Sequence, residues 1–136
     1  MKSRLALVAA AVLLVSCLAA CSPAPPKSMS IDVTSTGKEV TLAAGGTLTV
    51  TLEEPGTRPM GGFAKDTWNN DARIGDVTVL QQVDYKTQPA ATAGGKGASV
   101  WTLKTLKPGE SMVTMEVISA SISIPRVAFA VKVVVK

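Results

Sequence analysis

The chain has no histidine, only two cysteines and five aromatic residues among its 136 positions, and each scarcity removes a class of function. Without imidazole the usual general base and the commonest metal ligand are both missing. The two cysteines, Cys17 and Cys21, lie in or beside an N-terminal apolar segment. The rest of the chain therefore holds no thiolate nucleophile and no internal disulfide. Long hydrophobic runs are also lacking: the stretch from Leu5 to Val15 falls short of the roughly 20 apolar residues that cross a bilayer as a helix. No window of helical length places apolar residues at three-and-four spacing.

The groups that remain do not assemble into a reactive pattern. Ser111 and the serines between 119 and 123 show no Ser-x-x-Lys spacing, and hydroxyls on a β surface reflect strand propensity. Asp66, Asp71 and Asp76 offer hard oxygen ligands, but they miss the calcium-loop pattern of alternating ligands with a glycine at the sixth position. A solvated loop is the plainer reading of the three. Met60, Met112 and Met115 would suit a soft metal only as a cluster with other ligands, and Met115 alternates with valines as a core residue does. The expectation is a chain with no catalytic residues, no metal and no cofactor.

What the N-terminus does contain is an export pattern: Lys2 and Arg4, the apolar run, then Leu18-Ala19-Ala20-Cys21. The tetrapeptide resembles the bacterial lipobox. That resemblance implies cleavage before Cys21, diacylglycerol on its sulfur and an acyl chain on its new amino group, and several chains together anchor stably. An ordinary secretory signal cut at Ala-x-Ala, with Cys21 incidental, is the alternative. Ser22 rather than aspartate after the cysteine resembles the signal for onward sorting, if the cell has an outer membrane. The expected organisation is a signal peptide over residues 1–20, a lipidated cysteine and proline-rich tether over 21–30, and one domain over 31–136. The expected location is the bacterial cell envelope, lipid-anchored on the extracytoplasmic side, with the bilayer as a partner through Cys21. Removing Lys2 and Arg4 lowers the net charge from +4 to +2, so the basic composition implies no nucleic-acid partner.

From Ile31 onward the dominant signal is alternation with a period of two. Leu48, Val50 and Leu52 alternate with Thr47, Thr49 and Thr51; Val113, Met115 and Val117 alternate with Thr114 and Glu116. Val77 with Val79, Trp101 with Leu103, Ile31 with Val33 and Val40 with Leu42 read as further strands. The run from Val127 to Val135 is apolar almost throughout, as expected of a strand paired centrally or covered on both sides. Turn residues divide these runs at Gly37, Gly45-Gly46, Gly94-Gly95 and Pro108-Gly109. About seven short strands predict an all-β, immunoglobulin-like β-sandwich, with Trp101, Phe63 and Phe129 filling the place of the inter-sheet disulfide. Residues 64–76, which include Trp68, lack alternation and read as a long connection or an irregular strand.

Two loops stand out on such a scaffold, because rigid sandwiches carry binding residues at the ends of their sheets. Arg58-Pro59-Met60-Gly61-Gly62-Phe63 follows a well-patterned strand, and Thr92-Ala93-Gly94-Gly95-Lys96 precedes another. Glycine lets a backbone come close to a partner and proline fixes its own φ, so both loops combine shape with access. Ordinary turns remain the alternative.

From about Val40 to Lys136 this order of strands and loops resembles the chagasin-like inhibitors of papain-type cysteine proteases. Pro59, Gly62 and Phe63 match the proline, final glycine and following aromatic of that family's first loop motif, Asn-Pro-Thr-Thr-Gly; Arg58, Met60 and Gly61 depart from it. Gly94 and Gly95 match the double glycine of the second, Thr92 replaces its leading glycine, and Trp101 matches the aromatic that follows. The third motif, Arg-Pro-Trp, belongs between Val117 and Pro125, where Ile118-Ser119-Ala120-Ser121-Ile122 lacks it. The resemblance implies a monomeric, reversible inhibitor that inserts loops into a papain-like cysteine protease without a covalent bond, with Ser119, Ala120 and Ser121 on the third loop. The competing expectation is an envelope or cell-surface adhesion module with the same fold and no protease inhibition.

Overall fold

The computed structural model describes residues 23–56, 65–119 and 124–136. Cys21, the whole loop from Arg58 through Pro59, Met60, Gly61 and Gly62 to Phe63, and Ala120 and Ser121 of the third loop lie outside the described residues.

Strands form where the alternation is strongest. Thr47–Glu53 buries Leu48, Val50 and Leu52 and turns its threonines and glutamate outward. Among the described residues the order is β1 (Ser28–Ile31), a 3₁₀ turn (Val33–Ser35), β2 (Glu39–Leu42), β3 (Thr47–Glu53), β4 (Thr67–Trp68), β5 (Arg73–Ile74), β6 (Leu80–Gln88), β7 (Ala98–Thr105), β8 (Gly109–Ile118) and β9 (Arg126–Val135). Among the described residues, seven strands have four residues or more, and β4 and β5 are two-residue pairings on β8. One sheet runs β1-β3-β7-β6 and the other β2-β9-β8-β4, with β5 also on β8. The protein is the all-β, immunoglobulin-like sandwich that the alternation predicts.

Both sheets have the same poles. β3 meets β7 antiparallel with Glu53 opposite Ala98 at one end and Thr47 opposite Lys104 at the other. β8 meets β9 with Val117 opposite Arg126 and Gly109 opposite Val135. The two sheets are aligned at the second end, where Gly45 N–H donates to the Thr105 carbonyl (3.0 Å) and Ala44 N–H to the Lys136 carbonyl (3.0 Å). The chain enters there too, since β1 runs parallel to β3 with Ser28 beside Thr47. Pairing thus begins at Ser28, three residues ahead of Ile31. Thr47 N–H donates to the Lys27 carbonyl at 2.7 Å, and a Cβ at Gly46 would overlap that same carbonyl oxygen. The close approach of the Lys27 backbone to this turn requires glycine.

The core lies between the sheets. Trp101, Leu48, Val50, Leu80, Leu103, Val113, Met115, Phe129, Val131 and Val133 are buried, and Met115 is a core residue rather than part of a metal cluster. Trp101 meets Trp68 edge-on at 5.7 Å and Tyr85 at 5.3 Å, offset arrangements that the aromatic quadrupole favours.

Residues 67–74 join the two sheets. Arg73 and Ile74 pair with β8, and Asn69 N–H donates to the Glu116 carbonyl at 2.8 Å. The Asn70 carbonyl accepts from the Trp101 indole N–H (3.0 Å) and from the Gln82 amide (2.9 Å), and Ala72 N–H donates back to Gln82 Oε1 (2.8 Å). The segment that lacked alternation is a strap hydrogen-bonded to both sheets.

Three expectations are corrected. Val77 and Val79 are not strand residues: they lie in a turn, Val77 is exposed, and β6 starts at Leu80. The polar stretch Leu80–Gln88 is an edge strand beside β7, with a bulge between Gln82 and Asp84 that breaks its period. Val33 belongs to the 3₁₀ turn and is exposed, because Asp32 caps that turn by accepting from Thr34 N–H at 2.9 Å. Asp66 is buried rather than solvated, unlike Asp71 and Asp76.

Candidate functional site

The pole at which β3 ends collects the roots of all three candidate loops. β3 leads out through Glu53 and Glu54 toward residues 57–64, and the chain returns at Lys65. Residues 89–97 connect β6 to β7 directly beside it, because Glu53 is opposite Ala98 and Gln88 is opposite Ala98 on the other side. The third loop starts where Ile118 meets Thr67 and ends at Arg126 opposite Val117. Trp68 ties the third root to the first: its indole N–H donates to the Glu53 carbonyl at 2.9 Å.

The second loop is described throughout. Gly95 N–H donates to the Thr92 carbonyl at 3.1 Å, closing a four-residue turn over Thr92, Ala93, Gly94 and Gly95. Gly94 takes φ +79° at the third position of that turn, the place and sign that favour glycine in a type II turn. All five of Thr92, Ala93, Gly94, Gly95 and Lys96 are exposed. Lys96 reaches back to Glu53 with Nζ 3.5 Å from Oε1, a surface pair that orients the loop weakly. The stronger link is backbone: Glu54 N–H donates to the Gly97 carbonyl at 2.8 Å.

Below the loops a polar chain reaches into the sheet. Ser99 donates to Glu54 Oε1 at 2.5 Å, and its hydroxyl lies 3.0 Å from the Tyr85 hydroxyl. Glu54 is thereby fixed on an otherwise open rim. A cleft of about 410 Å³ opens between the roots, lined by Glu54, Pro55, Gly56, Lys65, Gly95, Lys96 and Gly97. Its described lining is three glycines, a proline and the long charged side chains of Glu54, Lys65 and Lys96. Among the described residues no group of three or more histidine, cysteine, aspartate or glutamate side chains comes together to hold a metal. Among the described residues, the groups with shifted acidity lie elsewhere: Asp32 and Asp76 are held below the ordinary aspartate range by hydrogen bonds from Thr34 and Thr78, and Lys132 is raised by Glu110 and Glu39.

Of the residues singled out in the sequence, Thr92 to Lys96 are described and stand at this pole, and Ser119 begins the third loop, half-buried. Glu53, Glu54, Lys65, Tyr85 and Ser99 also shape it and were not singled out, because their roles depend on pairing across strands. At the far root of the third loop Ile124, Pro125, Arg126 and Val127 are all exposed. The adjacent proline and arginine were visible in the sequence, although not in the order Arg-Pro-Trp.

No protein-family model and no curated protein matches the chain. Among solved structures it is similar to the cysteine protease inhibitor EhICP2 from Entamoeba histolytica, at TM-score 0.61 and 11% identity, over 80% of this chain and 96% of that one. Amebosin, known from a solution structure, matches at TM-score 0.46 and 17% identity, over 82% of this chain and 99% of its own. The likeness to the first establishes that the chain has a chagasin-like fold.

Proposed function

We propose that this protein is a lipid-anchored, reversible, non-covalent inhibitor of papain-like cysteine proteases: a binding protein, not an enzyme. The observation that carries the reading is the gathering of three loop roots at one pole, on the fold of a cysteine protease inhibitor. An inhibitor of this kind fills a cleft with preformed backbone, and the turn at Thr92 to Gly95 is preformed by its own hydrogen bond. On this reading the first loop, from Arg58 to Phe63, and the third, with Ser119, Ala120 and Ser121, supply the remaining contacts to the protease. In this reading residues 1–20 are a signal peptide and Cys21 carries the lipid that holds the domain in the bacterial envelope.

Arg-Pro-Trp is missing from the third loop, so the aromatic anchor it supplies must be replaced or forgone. Tight interfaces depend on a few buried aromatic or arginine side chains, and among the described residues the exposed Ile124, Arg126 and Val127 are substitutes at the root of that loop. The test is steady-state inhibition of papain and related enzymes by the mature chain. Reversible, competitive inhibition that weakens in Gly95→Trp supports the proposal. No inhibition at high micromolar concentration across several such enzymes would rule it out and leave an envelope-binding module.

A further inference from the structure

The pole opposite the loops has its own character. Lys27, Lys104 and Lys107 are all exposed there: Lys27 and Lys104 flank Thr47 on either side, and Lys107 sits in the turn between β7 and β8. Asp76 is the carboxylate near Lys107. Glu110 and Glu39, the next acidic groups on β8 and β2, are both engaged by Lys132, at 3.1 and 3.4 Å. Two apolar side chains stand among the lysines, Val77 at 67% exposure and Leu106 at 40%, on neighbouring turns joined by the Leu106 N–H to Val79 carbonyl bond of 2.8 Å. Lysines around exposed aliphatics form a surface suited to an anionic lipid interface.

The chain also enters the fold at this pole. Cys21 lies six residues before Lys27, and six residues span about 20 Å even when fully extended. A lipid on Cys21 therefore keeps the lysines within about 20 Å of the headgroups, a reach that includes about the first 8 Å, over which the field of anionic lipid decays. Resting on the lipid-anchor reading, we propose that the pole bearing Lys27, Lys104, Lys107, Val77 and Leu106 lies against the anionic headgroup surface of the bilayer that holds Cys21. The loop-bearing pole then faces away from the membrane. The ten residues of β8 set it about 33 Å farther out, clear of the bilayer and open to a soluble partner.

The experiment uses the lipoprotein purified from bacterial membranes and reconstituted into vesicles. A lipidated Cys21 is blocked, so an introduced cysteine becomes the sole thiol. A donor dye at Gln81→Cys, opposite Lys104, is compared with one at Thr92→Cys on the loop pole, with acceptor-labelled lipid headgroups. Energy transfer is expected to be larger from position 81 than from 92 and to rise when phosphatidylglycerol is added to phosphatidylcholine. Lys104→Glu/Lys107→Glu is expected to abolish that rise. Equal or larger transfer from position 92, or no response to phosphatidylglycerol at 81, overturns the orientation while leaving the anchor standing. A freely reactive Cys21 thiol in the parent chain instead refutes the anchor, and the orientation falls with it. Saturation by soluble anionic envelope polymers without any response to phosphatidylglycerol also overturns the proposal, because the pole then serves another polyanion.

Discussion

Trp68 donates its indole N–H to the Glu53 carbonyl at 2.9 Å while its ring stands edge-on to Trp101. One half-buried side chain thus fastens the end of β3 in the first sheet to β4 in the second, under the loops. It is a structural tie rather than an exposed anchor.

Trp68→Phe keeps a ring against Trp101 and removes the hydrogen bond, so unfolding free energy should drop by about 0.5–1.5 kcal/mol. Trp101→Ala empties the centre of the core and should lose about 3–5 kcal/mol. Urea denaturation measures both. No loss in Trp68→Phe would show that Trp68 acts through its ring and not through the hydrogen bond to Glu53.

Gly94 sits at φ +79°, and a Cβ added there would meet nothing within 4 Å, so the obstacle to substitution is backbone conformation alone. Gly94→Ala should destabilise the turn by about 1–2 kcal/mol, with faster amide exchange at Gly95 and weaker protease inhibition. Inhibition unchanged while exchange accelerates would remove this turn from the binding surface.

Glu116 is buried, accepts from Arg73 Nε at 2.6 Å through Oε1, and has no hydrogen-bond partner for Oε2 among the described residues. Arg73→Ala leaves that carboxylate unpaired and should lose about 1–3 kcal/mol. Lys132→Met breaks two exposed pairs and should change stability by only about 0–1 kcal/mol. Glu116→Gln should largely rescue Arg73→Ala, because it removes the buried charge. A double-mutant cycle with zero coupling would refute the pairing.

The Asp76 carboxylate accepts from the Thr78 hydroxyl at 2.5 Å and from Thr78 N–H at 2.9 Å, which hold its pKa below the ordinary aspartate value. A lowered folded-state pKa contributes stability that is present above the unfolded value and lost as pH falls through the folded one. Thr78→Val should move the Asp76 titration up toward the ordinary range, read by carboxyl-carbon NMR, and reduce the loss of stability between those two values. An Asp76 midpoint that ignores the substitution would contradict this cause.

Much of the sandwich was legible because each buried strand carries its own periodic signal. Leu48, Val50 and Leu52 announced β3, and Val113, Met115 and Val117 announced β8. β6 gave no such signal: Leu80 is its one buried residue, and a bulge after Gln82 shifts its period. Val77 and Val79 looked like a strand because two valines two apart fit the pattern, yet Val77 faces solvent and Val79 plugs a turn. The strap at residues 67–74 was invisible for a different reason. Its partners, Glu53, Gln82, Trp101 and Glu116, are scattered through the chain and meet only after both sheets form.

Composition excluded histidine and thiol chemistry, and local alternation dictated strands, since both follow from residue identity and near neighbours. Which pole the loop roots share, and that β1 begins at the other, follow instead from strand direction and register. Those are set by long-range pairing such as Thr47 with Lys104 and Ile118 with Thr67, where the stabilising contacts join residues far apart in the chain and no local pattern can encode them.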